Sequence, residues 1–208
     1  MTPLQIGVRL AVVAAGLSAW FWTQSLIGKR ALKEGLIGDR LHDLTESWNE
    51  HLHRNPKLAD GLLIASSAFI DLFAAFLIGM GLFGNTLRPF IALLMLFMFR
   101  QLCQALCALP VPPRMIWRHP GFPSLLVTYG VSTDFFISGH TAIAVLGAVE
   151  ICRLLPLPFG IAAIVVALLE AVLVIVLRAH YTMDVLAAVA AALCAAGLSS
   201  RICQALGI

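Results

Sequence analysis

The residues with the most chemistry in this chain are Arg178-Ala179-His180-Tyr181-Thr182-Met183-Asp184, a charged cluster between apolar stretches from Phe159 to Leu177 and from Val185 to Leu198. On a helix, His180 and Asp184 are four residues apart and share a face, so the carboxylate accepts a hydrogen bond from one ring nitrogen. The other nitrogen is then free to act as a nucleophile toward phosphorus. That reaction needs a cradle, counter-charge and a proton donor, and the chain holds a candidate for each. Ser138-Gly139-His140-Thr141 opens an apolar run, where unpaired amides and the positive dipole end of a helix favour an anion and Gly139 permits close approach. Arg100 and Arg178 offer guanidinium forks for phosphate oxygens. His140 is the candidate acid and base, protonating the leaving oxygen and then activating the acceptor.

Gln104, one helical turn on from Arg100, is as much an interhelical hydrogen-bond partner as a ligand contact. Asp134 is a turn cap or a site residue, and Tyr181 joins the candidate substrate contacts by its place beside His180. Two arginines and a helix N-terminus can stabilise a transferring phosphoryl group by position and charge, so neither a metal nor another cofactor is expected. His42, His51 and His53 lie on a charged amphipathic stretch without supporting cysteines and read as a solvated interfacial face.

The elements that must position these groups are membrane helices. Of the 208 residues, 60% are hydrophobic and 12% charged, and the mean hydropathy is +0.93. Uninterrupted apolar runs of about 20 residues point to an all-α, multi-pass integral membrane bundle rather than a barrel. The formal net charge of +3 is small and its basic residues follow the first span, which favours a membrane surface and argues against nucleic acid. Cys103, Cys107, Cys152, Cys194 and Cys203 sit in or at the ends of apolar runs and suggest packing, not disulfides. The first apolar run lacks a basic leader and is long enough to stay as a span.

About six spans are expected: Leu4 to Ile27, Leu58 to Phe83, Leu87 to Leu109, Ser138 to about Leu155, Phe159 to Leu177, and Tyr181 to about Leu206. Three units follow: a first transmembrane helix (1–28), an interfacial amphipathic segment (29–57) carried by Leu32, Leu36, Ile37, Leu41, Leu44, Trp48 and Leu52, and a catalytic five-helix core (58–208). A proline-marked loop runs from Pro110 to about Phe136. Connections after spans one, three and five then share one side with Arg100 and both histidine segments. Asp71, Glu150 and Glu170 within the apolar runs suggest an ion path and a transporter, a reading set aside because no pair of spans shows an internal repeat.

Ser138-Gly139-His140-Thr141 together with His180-Tyr181-Thr182-Met183-Asp184 resembles the type 2 phosphatidic acid phosphatase superfamily, in its sphingomyelin-synthase-like branch. Arg100-Gln101-Leu102-Cys103-Gln104 and the loop from Met115-Ile116-Trp117 to Tyr129 look like the plant phosphatidylcholine:diacylglycerol cholinephosphotransferases. The resemblance covers roughly Asp60 to Leu198 and implies His180 as nucleophile, His140 as acid and base, and Asp184 as the orienting group. Hydrolytic members usually carry a serine-arginine pair where this chain has Leu173-Val174, a departure shared with the sphingomyelin-synthase-like branch. The implied activity is transfer of a phosphocholine or phosphoethanolamine head group from a phospholipid donor to a diacylglycerol or ceramide acceptor through a phosphohistidine. Hydrolysis of a lipid phosphate is the alternative, and self-association into a homo-oligomer is left open.

Overall fold

A computed structural model describes residues 2–29, 37–121, 124–127, 129 and 135–207. The described residues form helices α1 (Pro3–Ile27), α2 (Arg40–Leu44), α3 (Glu46–Arg54), α4 (Pro56–Phe83), α5 (Arg88–Leu106), α6 (Gly139–Leu154), α7 (Leu157–Val176) and α8 (Thr182–Leu206). Prolines stand in the first turns of α1, α4, α5 and α7, where the missing N–H costs nothing and the fixed φ favours a start. Thr2 and Gln5 cap α1 reciprocally, and Ser138 caps α6.

The helices form an all-α bundle of a membrane protein. Five of them, α1, α4, α5, α7 and α8, are long and apolar enough to cross a membrane. They are five of the about six expected spans, and the remaining segment, α6, is shorter. Helix α6 has only 16 residues because Ser138 caps one end and Pro156 follows the other, and it spans about 24 Å at the usual rise. It is the central element, packed against α4, α5, α7 and α8. At Gly147 an added Cβ would come within 2.4 Å of the Phe73 ring, so the α4–α6 approach requires glycine there.

The amphipathic segment differs from one interfacial helix. Residues 30–36, with Leu32 and Leu36, lie outside the described residues, and the remainder is two short helices broken at Thr45. Leu41, Leu44 and Trp48 point outward and are exposed, whereas His42, Asn49 and Leu52 are buried against the bundle. The inward stripe is largely polar because it meets backbone carbonyls at the end of α7: Asn49 Nδ2 donates to Val176 O at 2.9 Å. His42 is therefore not part of a solvated face.

Arg9, Asp71, Glu150 and Glu170, within the apolar helices, each have a local partner. Arg9 donates to Gly84 O at 2.6 Å, closing the end of α4 rather than snorkelling. The Asp71 carboxylate accepts from the amides of Leu125 (2.8 Å) and Leu126 (3.1 Å) and so anchors the loop before α6. Glu150, its side chain fully buried, is shared by Arg88 and Arg153, each at 2.8 Å. Glu170 accepts from Ser66 Oγ at 2.7 Å.

Candidate active site

The turn that carries His180 is built at the end of α7. Arg178 N–H donates to Ile175 O and Ala179 N–H to Val174 O, both at 2.9 Å, which is the paired bonding of a Schellman ending. The residue in the left-handed position of that motif is usually glycine, but here it is Arg178, at φ +55. Such a conformation costs an L residue about 1–2 kcal/mol. It is held by the side chain: the buried guanidinium donates to His42 O at 3.0 Å and Pro113 O at 3.3 Å, and pairs with Glu46. Arg178 thus ties α2, α3 and the proline loop to the turn, and it does not line the cavity beside His180.

His180 precedes Tyr181, the N-cap of α8, so it is not on the helix that carries Asp184. The expected hydrogen bond between them is absent for that reason. His180 Nδ1–H donates to Phe135 O at 2.8 Å, while Asp184 Oδ2 is 3.8 Å from the same nitrogen, near enough for charge but not for a hydrogen bond. Asp184 instead accepts from Tyr181 N–H at 2.9 Å and caps the start of α8, and its Oδ1 has no partner among the described residues. The Phe135 carbonyl fixes the tautomer: with Nδ1 as the donor, Nε2 of the neutral ring carries the lone pair.

Opposite stands His140, in the first turn of α6, with its Nε2 buried and without a partner among the described residues. The Trp117 ring meets it edge-on at 5.1 Å between centroids. Arg100 is buried and enters from α5, its Nε donating to Ile137 O at 3.0 Å. Ile137 is at φ +63, an unusual conformation for a β-branched residue, and that strain turns its carbonyl to the guanidinium immediately before Ser138. An added Cβ at Gly139 would lie 3.5 Å from Arg100 Nε, so the glycine keeps the guanidinium face open. Arg100, Gly139, His140 and His180 together line an enclosed cavity of about 40 Å³.

Other expected contacts lie behind this cavity. Ser138 Oγ accepts from the Thr141 amide (3.3 Å) and hydroxyl (3.1 Å) and serves as the cap of α6. Gln104 Nε2 donates to Phe136 O at 3.2 Å, steadying the loop rather than lining the cavity. Tyr181 is buried against His42, and its phenol is held above the usual pKa range by burial and by the carboxylates of Asp184 and Asp39. Asp134 lies outside the described residues.

Several participants were not singled out in the sequence. From α1, Trp20 and Gln24 line the cavity: Gln24 Oε1 accepts from Gln101 (3.0 Å) and Arg100 (3.4 Å), and the buried Trp20 Nε1–H has no partner among the described residues. A buried glutamine in an apolar span was the available signal. Asp39 and His42 brace the turn that carries His180 from outside. The Asp39 carboxylate accepts from the Thr182 amide (2.5 Å) and hydroxyl (2.6 Å) and from the Leu41 amide (3.0 Å), capping α8 and α2 at once. Burial opposes its charge, but these hydrogen bonds and nearby His42 prevail and hold its pKa below the usual carboxylate value.

The AtPDCT1/2 family profile matches residues 39–201, a range that takes in both histidines, Arg100 and Asp184 and leaves α1 outside. Phosphatidylcholine:diacylglycerol cholinephosphotransferase 1 of Arabidopsis thaliana is 25% identical over 148 residues, covering 71% of this chain and 48% of the relative. The chain thus spans about half the length of that curated relative. No solved structure matches.

Proposed function

The chain belongs to the AtPDCT1/2 family, and from that premise we propose that it is a multi-pass membrane enzyme transferring a phospho-head group from a phospholipid to a diacylglycerol or ceramide acceptor. The observation that carries the reading is the convergence of His180, His140 and Arg100 on one enclosed cavity from three separate parts of the chain. The motifs of the first two also underlie the proposed placement in the sphingomyelin-synthase-like branch of the type 2 phosphatidic acid phosphatase superfamily. Phosphocholine, the group in the Arabidopsis relative's name, is the leading head group.

In this mechanism His180 Nε2 attacks phosphorus. The Nε2–P bond forms, the P–O bond to the glycerol of the donor breaks, and His140 gives its proton to the departing oxygen. The acceptor hydroxyl then returns a proton to His140 and attacks phosphorus, and the P–N bond breaks. Arg100 neutralises the phosphoryl oxygens, and Trp20 Nε1–H donates to one of them. The Phe135 carbonyl and the Asp184 charge favour the cationic ring that forms at His180, the role of an orienting group in histidine-dependent sites. No step draws on a metal. In this reading the catalytic unit is the 58–208 core together with α1 and the segment from Asp39 to Asn49.

The test is incubation of the purified protein with head-group-labelled phosphatidylcholine, with and without diacylglycerol. Transfer to diacylglycerol, with acid-labile label on the wild-type chain and none on His180→Ala, supports the reading. Release of free phosphocholine regardless of acceptor assigns a hydrolase instead, and absence of any phospholipid turnover ends both.

A further inference from the structure

A second cavity lies apart from the histidines, on the flank of the bundle where α3 lies over the gap between α4 and α7. It is an open apolar groove of about 570 Å³ with Trp48 and His51 at one end and Phe69 and Val166 at the other. Apart from His51 at the α3 end, its walls are aliphatic and aromatic except at one point part-way along, where Glu170 of α7 meets Ser66 of α4. The residue Glu170 is 3% exposed. Ser66 Oγ donates to Oε2 at 2.7 Å, and the second carboxyl oxygen carries no protein hydrogen bond among the described residues.

A carboxyl oxygen that faces an apolar groove without a donor is costly, so the groove suits a ligand that brings one. The ligand must be otherwise apolar to match the walls. No lysine or arginine lines the groove, so no fixed positive charge there would neutralise a phosphate. These conditions fit a neutral lipid whose polar end is a free hydroxyl, with its chains running along Phe69 and Val166 toward the membrane interior.

We propose that this groove is a binding site for a neutral hydroxyl lipid of the diacylglycerol type, with Glu170 accepting a hydrogen bond from the lipid hydroxyl. The choice of diacylglycerol among hydroxyl lipids rests on the head-group transfer proposed above; the pairing of apolar walls with one buried acceptor does not. The groove also adjoins the catalytic side: next to Ser66, Ser67 bonds the Tyr129 hydroxyl, Tyr129 packs on Trp117 at 4.8 Å, and Trp117 touches His140. A filled groove therefore stands one aromatic pair away from the proposed acid and base.

The experiment is photolabelling of the full chain in phosphatidylcholine nanodiscs with a diacylglycerol bearing a diazirine on one acyl chain, followed by peptide mapping. Wild type is expected to label at Phe69 and Val166, with labelling displaced by unlabelled diacylglycerol. Glu170→Leu should lower specific labelling about tenfold, the worth of one buried hydrogen bond, while Glu170→Gln, which keeps an acceptor oxygen, retains most of it. Glu170→Leu should also raise KM for diacylglycerol with little change in KM for phosphatidylcholine. Labelling that is indifferent to Glu170→Leu or to added diacylglycerol would overturn the site, leaving ordinary membrane lipid against an apolar flank. Stronger displacement by an amine-bearing lipid such as sphingosine would overturn the hydroxyl assignment. Competed labelling without head-group transfer keeps the site and removes the proposed function; transfer with uncompeted labelling does the reverse.

Discussion

His42 Nε2 donates to the backbone carbonyl of His180 at 3.0 Å, so a residue at the start of the chain holds the main chain of the proposed nucleophile. His42→Ala should cut kcat/KM about tenfold, the usual worth of one buried hydrogen bond, with the helical circular dichroism unchanged. His42→Gln retains a donor and should recover part of the loss. If His42→Ala keeps full activity while the protein melts earlier, its role is in stability alone.

On the proposed mechanism, His180→Ala and His140→Ala should each lower phospholipid turnover by at least about a thousandfold, the first by removing the nucleophile and the second by removing the group that moves the proton. Arg100→Lys keeps the charge but loses the fork, and it should raise KM for the donor more than it lowers kcat. Steady-state kinetics in mixed micelles separate the two effects.

Asp184→Asn should cost one to three orders of magnitude in kcat with little change in thermal stability. The amide oxygen can still accept from Tyr181 N–H and keep the cap, but the charge 3.8 Å from His180 Nδ1 is gone. Two charges about 4 Å apart interact by about 4 kcal/mol at an effective dielectric of about 20, which sets the upper end of that range. Asp184→Ala should lose the cap as well and melt earlier.

Arg178 separates conformation from tether. Arg178→Ala keeps the unfavourable left-handed backbone and removes the bonds to His42 O and Pro113 O, whereas Arg178→Gly removes the same bonds but relieves the backbone. Both should be less stable than wild type, with the glycine variant melting above the alanine one. Differential scanning calorimetry of the three proteins in one detergent checks the order.

The depressed pKa of Asp39 makes its contribution pH-dependent. Its carboxylate titrates below the ordinary 3.8 when folded, so in that window the unfolded chain binds more protons and stability rises with pH. The difference in melting temperature between wild type and Asp39→Asn should be constant above about pH 5, shrink as the pH falls through 3.8 and vanish below the folded value. A difference that is independent of pH would show that the charge of Asp39 contributes nothing.

The all-α membrane character was legible because composition reports burial in lipid directly, and the cavity histidines were legible because their motifs are local. The His180–Asp184 hydrogen bond was misjudged for one reason. The helical spacing was continued through a chain reversal, and a Schellman ending formed by arginine offers no glycine to announce it. His42, Asp39 and Gln24 were overlooked because their partners lie far along the chain: His42 meets His180, Asp39 meets Thr182, and Gln24 meets Arg100. Spacing within a segment cannot reveal such pairs. The bounds of α6 were legible to within a residue, because Ser138 and Pro156 mark its two ends in the sequence itself.

The bonds from Asp39 to Thr182 and from His42 to His180 join the beginning of the chain to its end, across separations of 143 and 138 residues. Contacts so distant in sequence carry the largest loop-closure cost and form late. The turn that carries His180 should consequently be completed only after α8 is seated. During synthesis or refolding, helical content should therefore reach its final value before transferase activity appears. A chain ending before Thr182 would keep His140 and Arg100 but leave Asp39 without the helix it caps.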